Sequence, residues 1–430
     1  MKYNHQPYIT KDILSAINTK TNFTWSSVPF CVAVLFLQGC YLLPVMQVFF
    51  NVQTVVYLTM AFTIIFCHDK ASLSVIGRTL LNFLPYYIIM YLIAKPGDAK
   101  YGFLHPILLS WHVIFPAILA HQLLLRGRKY EIQFTLVTFL LIVLYVLSQS
   151  LNEMETNEVI MREMTSGNTD EEYKLLMMYE NIGSFGFSYM CGAAFLCFLA
   201  QLVYIDNRHK KLRTILLILV IIFAIFISRA QFTTLLLLSL VGIGYIIFIN
   251  IGNFKWRIVF LIFIATLLTL LIPLFISLLI DFFQDTVVGD HLQIFYKSLT
   301  GSGEENAYST SRAQLRTDAL KQFLQSPFWG QNVLVQPARY LYTHSHTSVL
   351  SYLIATGLIG TISYLYALWN INRPILHLFN KKELFHVVMP FIGYYFILAF
   401  YNPVEAPEIS WGIFCVFPLI TLLINKKESV

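Results

Sequence analysis

Residues 214–250 decide the fold of this chain, and they read TILLILVIIFAIFISRAQFTTLLLLSLVGIGYIIFIN. The two apolar runs, 214–229 and 232–250, approach the roughly 20 residues that a helix needs to cross about 30 Å of hydrocarbon. A chain in lipid must satisfy its own backbone hydrogen bonds, and a helix does so within one segment. Arg229 is the one charged residue of the stretch and stands at the turn between the runs. The stretch therefore predicts a transmembrane helical hairpin with Arg229 at its tip.

The same pattern extends over the whole chain. Of the 430 residues, 57% are hydrophobic and only 12% are charged, and the mean hydropathy is +0.65. Soluble domains carry about 25% charged residues. We predict an all-α, polytopic helical membrane protein with about 12 transmembrane helices and a large extracytoplasmic loop between helices 9 and 10. The predicted spans are 28–46, 51–67, 78–94, 102–124, 132–149, 183–205, 214–229, 232–250, 258–280, 346–369, 386–401 and 409–424.

Lysine and arginine set the predicted orientation. Nineteen of the 29 basic residues fall in the two termini and in the connections on the same side of the predicted bundle. Short cytoplasmic loops carry such an excess, so both termini are predicted to be cytoplasmic. The predicted organisation is a cytoplasmic segment at 1–27, helices 1–9 over 28–280 with an outer loop at 150–182, an extracytoplasmic loop at 281–345, helices 10–12 over 346–424 and a cytoplasmic tail at 425–430.

Several function classes are disfavoured. No predicted inner segment exceeds a short connection, and the chain has no phosphate-cradling G-x-x-x-x-G-K-[ST], so a cytoplasmic nucleotide-binding domain has no place. Residues 1–27 lack the compact basic and apolar regions of a cleaved signal peptide. The net charge of +6 is explained by topology and is no evidence for nucleic-acid binding. The six cysteines lie in apolar runs without metal-ligand spacing, so we expect small core residues, no metal and no cofactor.

The two long outer segments are where extracytoplasmic chemistry is expected. The segment 150–182 carries eight acidic residues against Arg162 and Lys174. Its simplest interpretation is a solvated flap that stays off an anionic surface.

The loop at 281–345 is predicted to contain a helix over 312–325. Ser309–Ser311 supply candidate N-caps and Pro327 would end the helix. Arg312 and Arg316 are one turn apart, so both guanidinium groups would project from one side near the helix N-terminus, where the backbone dipole also favours an anion. Together they suit a phosphate or diphosphate. The alternative is an interfacial amphipathic helix whose arginines contact lipid headgroups.

Two histidines, His344 and His346, stand where this loop enters the next predicted span. A histidine there can hydrogen-bond a sugar hydroxyl or accept its proton, because its ordinary pKa of about 6.5 is close to neutral. A zinc site would need further ligands, and none has a convincing spacing. The alternative is an interfacial polar cluster.

For the other polar residues of the predicted spans and their connections, the sequence gives weaker evidence of a functional role. Arg229 is costly in lipid unless it snorkels or meets a buried anion. Glu405 and Glu408, in the last outer loop, are interpreted either as a base or as a solvated turn. The histidines of the fourth span are expected to be packed polar residues, namely His105, His112 and His121.

This arrangement resembles the O-antigen ligase and O-antigen polymerase superfamily of bacterial polysaccharide enzymes. The likeness is carried by the hairpin at Arg229, by the late outer loop with Arg312, Arg316 and the stretch 327–330 (PFWG), and by the His346 junction that opens a span with 357–360 (GLIG). The family usually has His-Asn at this junction, whereas here Thr347 follows His346, so the assignment of the acting histidine stays open between His344 and His346.

The resemblance implies glycosyl transfer from an undecaprenyl-diphosphate-linked oligosaccharide on the outer face of the bacterial inner membrane. Metal independence follows if the arginines replace a divalent cation, and no cofactor is expected. The resemblance implies catalytic roles for His346, Arg312 and Arg229. The substrate-binding candidates are Arg316, His344 and Arg339. Membrane lipid and a chain-length regulator protein are the other expected partners.

The predicted function is a polysaccharide polymerase that joins lipid-linked repeat units. The nearest alternative is a ligase that transfers finished polymer to a lipid A core. A flippase for the same unit is a second alternative, but transporters tend to show matched repeat halves and broken helices near the mid-membrane, and no such repeat is found. A non-catalytic envelope component is a third. Two long outer loops and the departure from His-Asn favour the polymerase.

Overall fold

The structure is a computed structural model that describes residues 25–93, 105–164, 170–252, 255–256, 258–259, 272–284, 288–290, 292–293, 296, 317–330 and 347–426. Over these residues the secondary structure is helical and contains no strand. Eight helices are long and apolar enough to cross a membrane within this part of the chain. The predicted fold class, a polytopic helical membrane protein, is confirmed.

Short connections join most of the helices, whereas residues 283–347 separate the twelfth from the thirteenth. In chain order they are α1 (Trp25–Leu42), α2 (Pro44–Phe49), α3 (Val52–Phe66), α4 (Lys70–Ile93), α5 (His105–Arg126), α6 (Lys129–Glu153), α7 (Ile160–Glu163), α8 (Glu171–Tyr179), α9 (Phe185–Tyr204), α10 (Lys210–Arg229), α11 (Thr233–Asn250), α12 (Ile272–Phe282), α13 (Ser348–Leu376), α14 (Lys381–Tyr401) and α15 (Pro407–Asn425).

Side-chain caps move some boundaries away from the predicted ones. Helix α4 begins at Lys70 rather than at residue 78, because the Asp69 carboxylate accepts a hydrogen bond from the Ser72 backbone N–H at 2.9 Å and so caps the first turn. Helix α13 begins where Thr347 accepts from the Leu350 N–H, and it continues to Leu376 rather than to residue 369. These two helices are therefore longer than the predicted spans, whereas the predicted span 28–46 is divided at Leu43 between α1 and α2.

Helix α9 is the centre of the bundle. In α9, 83% of the most apolar window is buried, compared with 28% in each of α10 and α11. Glycines let neighbours approach α9 closely, since a Cβ on Gly192 would lie 2.5 Å from the Tyr394 hydroxyl of α14. Helices α10 and α11 instead present leucine and isoleucine outward, as lipid-facing helices do.

Polar contacts define two ends of the bundle, and the first is here called the Arg229 end. There, the Asn402 amide donates to the Tyr189 hydroxyl at 3.3 Å, the Ser348 N–H donates to the Asn402 carbonyl at 3.4 Å, and the Gln47 amide donates to Glu408 at 3.1 Å. Two further contacts at this end are Val45 N–H to Asn181 Oδ1 and Val288 N–H to Gln231 Oε1, each at 3.3 Å. The segments predicted to be on the outer side thus meet at one end.

The opposite end carries a buried ion-pair cluster. Arg126 binds the Glu131 carboxylate through two nitrogens, at 2.7 and 2.8 Å, and Arg128 adds a third contact at 3.3 Å. Glu131 has no exposed surface, so its charge must be compensated by these guanidinium groups. The cluster fixes the short turn between α5 and α6.

The segment 150–182 is not a solvated flap, and that interpretation is wrong. Its helices α7 and α8 bury Ile160, Met161 and Met177 almost completely. The Gly183 N–H donates to the Ser150 hydroxyl at 2.9 Å, which closes the base of the segment. Apolar residues at helical spacing outweigh the acidic composition, so the segment packs as a cap over the Arg229 end.

Two smaller expectations are confirmed. All six cysteines are buried and free, as expected of core residues. His112 and His121 of α5 are 3% and 2% exposed, which agrees with packed polar side chains.

Candidate functional site

The candidate site lies at the Arg229 end, and the hairpin between α10 and α11 forms one side of it. Helix α10 ends at Arg229, and Gln231 follows with a positive φ of 57°. The Arg229 side chain is exposed while Ala230 is fully buried, so the tight turn anchors the hairpin and leaves the guanidinium group at the surface. The predicted hairpin with Arg229 at its tip is confirmed.

A second side is the start of α13, directly after the predicted His346 junction. Thr347 is extended (φ −138°, ψ 136°) and caps the helix, while the Ser348 hydroxyl accepts from the Val404 N–H at 2.9 Å. The loop between α14 and α15 is therefore fastened to the first turn of α13. This contact brings Glu405 to the junction.

The Glu405 carboxylate faces the first two turns of α13. The Ser348 and Tyr352 hydroxyls hydrogen-bond to it, but its Oε2 atom is buried and has no hydrogen-bond partner among the described residues. Burial raises the pKa of Glu405 above its ordinary value, although these hydrogen bonds act in the opposite direction. A carboxyl group that holds its proton more readily than a solvated one is suited to acid–base chemistry. The solvated-turn interpretation of Glu405 is wrong.

Helix α13 is broken at Gly357, where φ is 62° and ψ is −168°. The turn at 326–330 fills the break: the Leu358 N–H donates to the Pro327 carbonyl at 2.8 Å, and the Ile359 N–H donates to the Phe328 carbonyl at 3.3 Å. The two sequence stretches 327–330 and 357–360 are thus direct partners, with backbone groups paired across the contact.

Both sides of this contact require glycine. A Cβ on Gly357 would lie 2.3 Å from the backbone carbon of Phe328, and a Cβ on Gly330 would lie 2.5 Å from the backbone carbon of Ala355. Gly330 also has a positive φ of 75°. The close approach joins the end of the predicted outer loop to the helix that begins at the site.

The break folds α13 back on itself. The rings of Tyr352 and Tyr364 stack with centroids 4.4 Å apart, although residues 12 positions apart in a straight helix are separated by about 18 Å. Tyr86 of α4 contacts both rings, at 6.4 and 5.5 Å. The tyrosines hold the first part of α13 against the bundle and so fix the position of Ser348 and Glu405.

The predicted helix at 312–325 is observed over its described part, where residues 317–325 are helical and the turn begins at Ser326. The predicted end at Pro327 is confirmed. Leu320 and Leu324 are exposed, whereas Ala319 is buried. Five predicted site residues lie outside the described residues, and their roles stay predictions: Arg312, Arg316, Arg339, His344 and His346.

Comparison with known proteins agrees with this geometry. Residues 215–365 match a family model described as O-antigen ligase, over about a third of the chain. The match is a likeness of this segment to that family. The predicted resemblance to the O-antigen ligase and polymerase superfamily is confirmed. A search of curated proteins gives no match.

The matched segment contains several parts of the candidate site. It includes the Arg229 hairpin, the turn at 326–330, the start of α13 and the break at Gly357. Members of this superfamily are glycosyltransferase-like enzymes of polysaccharide biosynthesis. Glu405 and the helices α7 and α8 lie outside the matched residues. Segments beyond the family match therefore also contribute to this end of the bundle.

Sequence reasoning missed the groups that hold the site together. Ser348, Tyr352 and Gln47 carry no motif, and each acts through a partner far away in the chain. Within the described residues there is no group of His, Cys, Asp or Glu that could hold a metal ion.

Proposed function

We propose that this protein is a polysaccharide polymerase that joins undecaprenyl-diphosphate-linked repeat units on the outer face of a bacterial inner membrane. The growing glycan is transferred from its lipid diphosphate to a hydroxyl of another lipid-linked unit. The diphosphate is already an activated leaving group, so no nucleotide is consumed at the outer face. The termini are on the cytoplasmic side in this proposal, and the Arg229 end faces outward.

One observation carries the proposal: the segment that matches the O-antigen ligase family encloses Arg229 and the turn at 326–330, and this turn pairs with the backbone of α13 at Gly357. Phe232 of the Arg229 hairpin contacts the Tyr189 ring at 5.9 Å, and Asn402 bonds to both Tyr189 and Ser348, so the cation and the start of α13 share one end of the bundle. Glycosyl transfer from a lipid diphosphate needs such a convergence, because a cation must meet the leaving group while a base meets the acceptor.

The proposed roles follow from charge. Arg229 with Arg312 or Arg316 binds the diphosphate and stabilises the charge that develops on it, at roughly 1.5 to 3 kcal/mol for each charge-assisted contact. His346 orients or deprotonates the acceptor hydroxyl, and His344 and Arg339 contact the substrate. Glu405 is a second acid–base candidate, because its pKa is raised by burial at the first turn of α13.

A ligase is the second candidate function, and the description of the matching family favours it. The donor would be the same, while the acceptor would be a lipid A core. The packed cap formed by α7 and α8 supports the polymerase instead, because it adds a structured surface for a second glycan beside the Arg229 end.

Deletion of the gene in its host separates these functions. The deletion strain is complemented with wild type, His346→Ala or Arg312→Ala at matched membrane levels, and surface glycan is resolved by gel. We expect single-repeat glycan on its acceptor in the deletion and in both variants. Long polymer that accumulates on the lipid carrier would identify a ligase, and an unchanged ladder would rule out the enzymatic function.

Metal removal gives an independent test of the roles given to arginine. If guanidinium groups take the place of a divalent cation, purified protein should retain at least about 80% of its polymer-forming rate in excess chelator, since no bound ion is lost. The control is a metal-dependent glycosyltransferase treated in parallel. Loss of activity that added Mg²⁺ restores would contradict the proposed role of the arginines.

A further inference from the structure

A groove of about 300 Å³ opens at the Arg229 end between α2 and α8. Its polar lining is supplied by Gln47, Glu171, Lys174 and Ser184, and its apolar wall includes Leu175 and Met178. This volume is at the lower end of the range for small-molecule sites. The groove exists because the segment 150–182 packs as a cap rather than extending into solvent.

The floor of the groove is a side chain held in one orientation. Both amide hydrogens of Gln47 are in use, one to the Tyr41 carbonyl and one to Glu408 Oε1, each at 3.1 Å. A glutamine has two donors and one carbonyl acceptor. The Gln47 carbonyl oxygen therefore remains as an acceptor, and no described residue donates to it.

Glu408 fixes this orientation from below. It is 3% exposed, and its Oε2 atom would lie 2.5 Å from a Cβ at Gly186, so the carboxylate fits against bare backbone of α9. Glu408 is therefore a positioning residue for Gln47. The interpretation of Glu408 as part of a solvated turn is wrong.

The wall of the groove adds charged groups of both signs. Lys174 is paired with Glu171 at 3.3 Å, and its side chain is only 16% exposed, whereas that of Glu171 is 81% exposed. The groove thus offers an ammonium donor, a carboxylate acceptor, the Ser184 hydroxyl and the Gln47 carbonyl around an aliphatic surface. A sugar ring matches this set, because its hydroxyls both donate and accept while its C–H faces are apolar.

We propose that this groove binds one sugar residue of the repeat-unit glycan, with a hydroxyl donating to the Gln47 carbonyl oxygen. The choice of the repeat-unit glycan as ligand rests on the proposed function. Binding of a saccharide can nevertheless be measured without any catalytic turnover. The groove gives the cap formed by α7 and α8 a role in placing the glycan beside the Arg229 end.

Binding of the released repeat tests the proposal. The probe is the repeat-unit oligosaccharide freed from its lipid carrier in the host by mild acid, titrated into purified full-length protein in detergent and followed by saturation-transfer NMR. We expect Gln47→Leu to weaken binding about tenfold, which corresponds to the loss of one hydrogen bond in the groove. Leu175→Trp should abolish binding, because Leu175 is 41% exposed and a larger ring fills the groove without burying itself in the core.

The matched control is Gln201→Leu in α9. Gln201 is fully buried and its amide has no hydrogen-bond partner among the described residues, so this substitution removes no contact of the groove. We expect wild-type affinity for this variant. Wild-type affinity in both Gln47→Leu and Leu175→Trp would overturn the proposal; if Gln47→Leu fails to fold, Leu175→Trp alone decides.

A lipid chain is the competing occupant. Undecaprenyl phosphate titrated into the same micelles should bind Leu175→Trp as it binds wild type. If Leu175→Trp instead weakens the lipid and leaves the oligosaccharide unaffected, the saccharide assignment is overturned. The polymerase proposal is tested separately by the glycan ladder, so failure of one does not imply failure of the other.

Discussion

Gly357→Ala is expected to abolish long-glycan synthesis, with product lowered about 100-fold. Alanine strongly disfavours the backbone conformation at this position (φ 62°, ψ −168°), and its Cβ would lie 2.3 Å from the Phe328 backbone. The turn at 326–330 must then leave the break in α13. A displacement of about 1 Å at a site can cost about 100-fold in rate. Surface glycan resolved by gel measures the loss.

Stability separates this effect from simple unfolding. We expect Gly357→Ala to destabilise the protein by about 2 to 4 kcal/mol, from backbone strain together with the lost contact. The control is Gly393→Ala, because a Cβ there meets no atom within 4 Å. That variant should be neutral or more stable by about 0.5 kcal/mol, since alanine is the better helix former. A full glycan ladder in Gly357→Ala would show that docking of the turn is dispensable.

Arg229→Ala is expected to lower polymer formation about 100-fold while leaving the thermal unfolding temperature of the purified protein unchanged. The side chain is exposed, so its removal leaves no cavity, whereas loss of one group that stabilises developing charge costs about 100-fold or more. Arg229→Lys keeps the charge but loses the planar fork, so we expect activity between those of Ala and wild type. Initial rates with purified lipid-linked substrate give the measurement.

Arg208→Ala is the matched control for this prediction. Arg208 lies in the loop between α9 and α10, at the opposite end of the bundle, and its exposed side chain pairs with Asp206 at 3.5 Å. An equal loss in Arg208→Ala and Arg229→Ala would mean that any change of surface charge impairs the protein. In that case Arg229 would have no special role at the site.

The glycine-containing motifs could be recognised from the sequence, but the contact between them could not be predicted. The stretches 327–330 and 357–360 were recognisable as parts of a family pattern, but their separation in sequence gave no reason to expect that they touch. Contact depends on a left-handed backbone at Gly357 and on carbonyls of the turn that point at the break. Such geometry is set by the whole bundle, so no local pattern encodes it.

Composition was a poor guide to the segment 150–182. Eight acidic residues suggested a solvated flap, whereas the apolar positions of α7 and α8 bury Ile160, Met161 and Met177. A few buried apolar side chains outweigh many exposed charges, because charges on the outer surface of a cap keep their hydration. The groove over Gln47 follows from this packing and could not be predicted without it.

Sequence alone predicts the fold class, the hairpin at Arg229, the burial of the cysteines and the resemblance to the O-antigen ligase family, because each depends on apolar run length or on a local motif. Three contacts are visible only in the folded molecule: the turn at 326–330 fills the break at Gly357, Glu405 meets Ser348, and Glu408 orients Gln47. The range of the interactions explains this difference. Hydrophobic run length acts within one helix, whereas a hydrogen bond between distant segments exists only after every intervening helix has packed.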